Sequence, residues 1–89
     1  MIDRMKEFKY IITDQVGLHA RPAGLLVKTA SEWNSRITVF GNGKSVDAKK
    51  LIALMGLGIK QGMEVTCQIE GEDEESAYQA VLNYFKENF

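Results

Sequence analysis

VGLHARPAG, residues 16–24, is the stretch on which the reading of the fold turns. Before it, EFKYIIT sets Phe8, Tyr10 and Ile12 against Glu7, Lys9 and Thr13, with Ile11 the exception, which predicts a first strand. After it, ARPAGLLVKTASEW carries Ala23, Leu26, Val27, Ala30 and Trp33 at helical spacing, which predicts a helix from about Ala20 to Glu32. Between them DQVGLH is a turn-like connection carrying Gly17. Pro22 suits the first helical turn, where its missing N–H leaves no bond unmade. Gly24 costs that helix roughly 1 kcal/mol relative to alanine and leaves room for another surface to approach. The stretch also holds the only histidine and the only proline of the chain, with Arg21 between them.

The pattern continues outward. RITVF predicts a second strand with Ile37 and Val39 facing inward, and GNGK predicts a tight hairpin, because Asn-Gly accepts positive φ. KSVDA returns as a short third strand, with Ser45 in it. KKLIALMGLGIKQG reads as a brief amphipathic segment punctuated by Gly56, Gly58 and Gly62. EVTCQIEG alternates Val65, Cys67 and Ile69 inward against Thr66 and Gln68 outward. DEESAYQAVLNYFKENF closes as a helix with Ala77, Val81, Leu82 and Phe85 on its buried stripe and its acidic residues at the positive dipole end. The order is strand, helix, strand, strand, short helix, strand, helix. It predicts an α+β fold with helices covering one face of a four-stranded sheet.

At 89 residues, with no linker, repeat or low-complexity tract, the chain is expected to be one domain over residues 1–89. An apolar fraction of 45% is ordinary for a globular protein. The balance of 11 basic and 12 acidic residues gives no overall attraction to nucleic acid or to an anionic membrane. MIDRMKEFKYIIT offers no apolar core for a signal peptide, and no run approaches membrane-spanning length. One cysteine, Cys67, excludes an internal disulfide, so a cytoplasmic location is expected. Cys67, Trp33 and Phe85 read as core, and the Glu70–Glu75 acidic run as a helix N-terminal face rather than a metal site.

The chemistry gathers at His19. Its imidazole can serve as base, ligand or nucleophile near neutral pH. One histidine and one cysteine in separate elements make a poor metal set. No hydroxyl or thiol lies within VGLHARPAG for His19 to activate, and Thr29 and Ser31 are more than two helical turns away. A helix N-terminus favours an anion, and Arg21 adds a permanently charged fork suited to phosphate oxygens. An imidazole beside such a cradle fits phosphoryl transfer through a phosphohistidine. The competing reading, that His19 merely starts the helix and Arg21 is solvated, stays open on these grounds.

VGLHARPAG followed by LLVKTAS resembles the active-site signature of the histidine-containing phosphocarrier family, HPr, of the bacterial sugar phosphotransferase system. NGKSV, LMGLGIKQG and EVTCQIEGEDEESA match the family's later blocks in register, so the resemblance covers nearly the whole chain. It implies an open-faced sandwich of four antiparallel strands with three helices on one side. It also implies that His19 takes the phosphoryl group on Nδ1, that Arg21 neutralises it, and that backbone at Ala20, Pro22 and Ala23 cradles it. The donor would be enzyme I, charged by phosphoenolpyruvate, and the acceptor an enzyme IIA. No cofactor is implied, and the chain would act as a monomeric shuttle rather than a self-sufficient enzyme. A partner-docking patch is implied at Gly24, Leu25, Lys28, Leu51, Ile52 and Met55, with Lys49 at its rim. Leu54 and Leu57 are expected to be buried, and Leu51, Ile52 and Met55 partly exposed.

Two positions depart from the family pattern. Lys50 stands where many relatives open the short helix with a serine that a dedicated kinase phosphorylates; lysine has no hydroxyl, so that switch is expected to be absent. Val16 stands where the family often has serine or asparagine, which is expected to alter phosphohistidine lifetime or partner preference. Two further readings compete with the sugar-uptake carrier. One is a regulatory or binding module of a specialised relay, for example nitrogen-related; the other is a small ligand-binding domain with an inert His19.

Overall fold

A computed structural model describes residues 5–89; residues 1–4 of the charged N-terminal stretch lie outside the described residues. The elements follow the expected order: β1 (Lys6–Ile11), α1 (Ala20–Ser31), β2 (Arg36–Gly41), β3 (Lys44–Asp47), α2 (Leu51–Met55), β4 (Glu64–Glu70) and α3 (Glu74–Asn88). The four strands form one sheet in the order β1-β4-β2-β3, and every neighbouring pair is antiparallel.

Alternation sets which face is which. Val65, Cys67 and Ile69 of β4 face inward with Ile37 and Val39 of β2, all buried, while Thr66 and Gln68 face out. In β1, Phe8 is buried, and Ile12 just beyond it is buried too; Tyr10 is only half-buried, its ring edge-on to Phe85 at 5.8 Å. Ile11, the exception to the alternation, is exposed. The β2–β3 hairpin turns through Asn42 (φ 52°) and Gly43 (φ 77°), the two positive φ values the Asn-Gly pair foretold.

The helices cover the inward face. Ala23, Leu26 and Ala30 of α1 and Ala77, Val81 and Phe85 of α3 are buried with Leu54 and Leu57 from the α2 region. Leu82 and Trp33, expected in the core, are half-buried and lie against its edge. The Cys67 thiol sits fully inside, where burial pushes its pKa up and keeps it protonated and unreactive.

Asp73 stands at the N-terminal end of α3, as expected of the acidic run. It precedes α3, but its side chain makes no cap bond to that helix. Its carboxylate instead accepts from the backbone N–H of Asn34 (2.8 Å) and Ser35 (2.9 Å) and from the Ser35 hydroxyl, tying the loop after α1 to the start of α3. The Ser35 hydroxyl first, and then the Asn34 amide, hold the Asp73 carboxyl below the usual carboxylate range. A carboxyl depressed in the folded state stabilises fully above its unfolded value, about pH 4, and loses that contribution as pH falls through the folded one. Denaturant titrations at pH 7 and pH 3 should show Asp73→Asn less stable than wild type at pH 7. The gap should narrow at pH 3.

Candidate functional site

The site is built from the turn that precedes α1. Ile12 ends the strand side by donating its N–H to Met63 (3.0 Å), and Asp14 N–H reaches the Phe89 backbone oxygen (2.9 Å). The chain then turns through Gly17, whose φ of +81° places it in the left-handed region. Gly17 N–H donates to the Asp14 carbonyl (3.1 Å), and Leu18 N–H donates to the Ile59 carbonyl (3.1 Å). A Cβ at Gly17 would stand 2.4 Å from that Ile59 oxygen, so only glycine lets the turn lie against residues 59–60.

His19 is therefore delivered as the N-cap of α1, with extended backbone at φ −100° and ψ 176°. Its side chain makes no cap hydrogen bond, so the ring is not consumed in starting the helix. The imidazole is 38% exposed, and Nε2 lies 3.8 Å from a carboxylate oxygen of Asp14.

The helix start defines which donors an anion would meet. Ala20, Arg21 and Pro22 are the first three helical residues, and the first intrahelical bond is from Ala23 N–H to the His19 carbonyl (2.9 Å). Pro22 has no N–H and Ala23 has already spent its own, so neither can donate to a phosphate. Pro22 and Ala23 are buried supports, and the donors without a partner among the described residues are the backbone N–H groups of Ala20 and Arg21. This corrects the expected cradle. The Arg21 amide joins the cradle, although the sequence points only to the Arg21 side chain. That guanidinium is exposed and makes no ion pair among the described residues. Pro22 is held from the other side, its carbonyl accepting the Tyr84 hydroxyl (2.7 Å).

Beside the histidine, α1 and α2 lie on the same face of the sheet and touch. Leu25 on α1 is 49% exposed and Ile52 on α2 is 82% exposed, with Leu51 and Met55 also outward. Leu54 and Leu57 are buried, so the expected split between core and patch is present. A methyl on Gly24 would meet nothing within 4 Å, which leaves that turn of α1 open. Lys28 is exposed in the last turn of α1. Lys49 is not a free rim cation: its ammonium donates to the Trp33 carbonyl (2.7 Å) beyond the end of α1. Lys50 is exposed and is the N-cap of α2, with no side-chain cap bond. Val16 is 65% exposed and brings no polar side chain to the turn. Among the described residues no cluster of three His, Cys, Asp or Glu side chains could hold a metal, and no helix is long and apolar enough to cross a membrane.

A partly exposed imidazole at the start of a helix, on the helix-covered side of a four-stranded antiparallel sheet, defines an open-faced α+β domain with a surface histidine. Comparison with known proteins gives that class its family. Residues 6–87 match the family described as PTS HPr component phosphorylation site. The phosphocarrier protein HPr of Mycoplasma capricolum subsp. capricolum is 47% identical over 77 residues, covering 86% of each chain. A mycoplasma histidine-containing phosphocarrier protein of known structure superposes with a TM-score of 0.89 at 43% identity, over 92% of this chain and 93% of that one. Crh of Bacillus subtilis, solved as a swapped-domain dimer, superposes with a TM-score of 0.74 at 36% identity, over 98% of this chain and 95% of that one. The chain belongs to the HPr family, the phosphocarriers of the sugar phosphotransferase system.

Proposed function

We propose that this chain, acting over residues 1–89 as one cytoplasmic carrier, accepts a phosphoryl group on His19 from phosphorylated enzyme I and passes it to an enzyme IIA. The observation that carries the reading is the ring of His19, partly exposed at the start of α1, where the backbone N–H groups of Ala20 and Arg21 have no partner among the described residues. The Nδ1 lone pair attacks phosphorus while the bond to the donor nitrogen breaks, and the donor ring takes back the electron pair. The transferred group is anionic. The N–H groups of Ala20 and Arg21 and the positive end of the helix dipole face that charge, and the exposed Arg21 guanidinium is free to turn toward its oxygens. These groups work at the surface, so the phosphoryl is held but not sequestered, as a carrier with two successive partners requires. Gly24, Leu25, Lys28, Leu51, Ile52 and Met55 form the surface both partners dock on, one at a time, with the carrier as a monomer. The test is a reconstituted relay from phosphoenolpyruvate through enzyme I to a IIA protein. The IIA should be phosphorylated only when this chain is present; direct transfer at equal rate without it would remove the role.

The second part of the proposal concerns Lys50. A side chain without a hydroxyl at the N-cap of α2 closes the position to serine phosphorylation, and its charge is opposite to that of a phosphoserine. Incubation with an HPr-directed serine kinase and ATP should leave the protein unmodified by mass, whereas Lys50→Ser should gain one phosphate. Stoichiometric phosphate on Ser45 of the wild type would contradict this.

A further inference from the structure

We infer that Asp14 is a positioning residue for phosphoryl transfer, a fixed charge that holds the His19 ring with its proton on Nε2 and offsets the positive charge the ring acquires as Nδ1 takes the group. The inference rests on His19 being the acceptor.

Asp14 is held on both sides before the histidine is considered. Its backbone N–H donates to the Phe89 oxygen (2.9 Å), its carbonyl accepts Gly17 N–H (3.1 Å), and its carboxylate oxygen Oδ1 accepts Val16 N–H (2.8 Å). Thr13 adds a bond from its hydroxyl to the same Phe89 oxygen (2.8 Å). The aromatic end of α3 that supplies this oxygen is itself buried, with Phe89 packed against Tyr84 and Phe85. The carboxylate is thus placed by the backbone of its own turn, and the oxygen that closes the turn is the one facing His19 Nε2 at 3.8 Å. That separation exceeds a hydrogen bond, so in the resting protein the contact is electrostatic. Both side chains are partly shielded, at 38% and 29% exposed, so the interaction is not fully screened.

The chemistry gives that charge a task. A neutral imidazole carries its proton on one nitrogen and presents a lone pair on the other. A carboxylate beside Nε2 favours the proton there and leaves Nδ1, which makes no cap bond, as the nucleophile. When the N–P bond forms and the donor N–P bond breaks, the His19 ring keeps its Nε2 proton and becomes cationic. Asp14 then faces a full opposite charge, more strongly than in the ground state, which is the differential that lowers a barrier.

The experiment compares wild type, Asp14→Asn and Asp14→Ala. Asparagine keeps an oxygen for Val16 N–H and removes only the charge; alanine removes both. His19 is the only histidine, so long-range 1H–15N NMR reads its tautomer without ambiguity. The Nε2–H form should dominate in wild type and fall in both variants. Phosphoryl acceptance from phosphorylated enzyme I should slow about fivefold in both, the rate equivalent of an exposed charge pair at the upper end of its usual range, about 1 kcal/mol. A wild-type rate and tautomer in Asp14→Asn with losses only in Asp14→Ala would assign the effect to the turn and overturn the inference. Unchanged values in both variants would also overturn it, while phosphorylated wild-type His19 would still uphold the carrier reading. Absence of phosphohistidine in wild type would fell the carrier reading instead, and with it the role of Asp14 in transfer.

Discussion

Gly17→Ala should lower the melting temperature by about 10–20 °C and cripple phosphoryl acceptance with it. The backbone at Gly17 is left-handed, φ +81°, which costs an L-residue with a Cβ about 1–2 kcal/mol. The added methyl would also lie 2.4 Å from the Ile59 carbonyl oxygen and 2.8 Å from Lys60 Cα, both backbone atoms that cannot rotate aside. Relief requires the turn to leave the 59–60 segment, which breaks the Leu18 N–H bond to Ile59. The total is about 2–3 kcal/mol, and in a domain of this size each kcal/mol is worth about 4–8 °C. The displaced turn is the one that delivers His19 to the start of α1, so folding and function should fail together. A calorimetric scan beside a phosphorylation assay checks both; a melting point within a few degrees of wild type would show that the turn is not pinned as described.

Removing the imidazole should separate those two properties. His19→Ala is expected to reduce phosphoryl acceptance below detection while changing stability by less than about 1 kcal/mol. The ring is partly exposed and makes no cap bond, so the helix loses little with it. The Cys67 thiol cannot take over, because it is fully buried and held protonated. The variant also keeps Arg21 and the helix start, so residual phosphate binding without covalent transfer would isolate the electrostatic cradle from the nucleophile. A loss of fold in His19→Ala would instead assign the residue a structural part.

The elements that sequence made legible are those whose cause is local. EVTCQIEG alternates because one face of its strand is covered and the other is wet, and the positive φ values of Asn42 and Gly43 follow from the two residue types that tolerate them. The division of the α2 region into buried Leu54 and Leu57 and outward Leu51, Ile52 and Met55 is the one that the family resemblance implied. What escaped is set by tertiary hydrogen bonds that no spacing encodes. Asp73 sits at the start of α3 as its place in the acidic run implies, but its carboxylate binds the loop at Asn34 and Ser35, far away along the chain. Lys49 looks like a rim cation but satisfies the Trp33 carbonyl. Leu82 and Trp33 fall on apolar spacing yet sit at the edge of the core, where a domain this small runs out of interior. The cradle differs from the expected one for another reason. His19 as N-cap puts Pro22 third in the helix and gives the Ala23 amide a partner, a matter of register finer than a pattern fixes. Asp14 carried no signal at all, since a carboxylate in a turn is unremarkable until the fold brings it to the histidine.

The central claim is that His19 carries the phosphoryl group. The most direct measurement incubates the wild-type protein with phosphoenolpyruvate and enzyme I, then locates the phosphate by 31P NMR and by mass analysis of the peptide containing residue 19. The expected result is one acid-labile, alkali-stable phosphoramidate on the His19 ring, absent from His19→Ala. A wild-type protein that takes up no phosphate, or takes it on any other residue, would contradict the account.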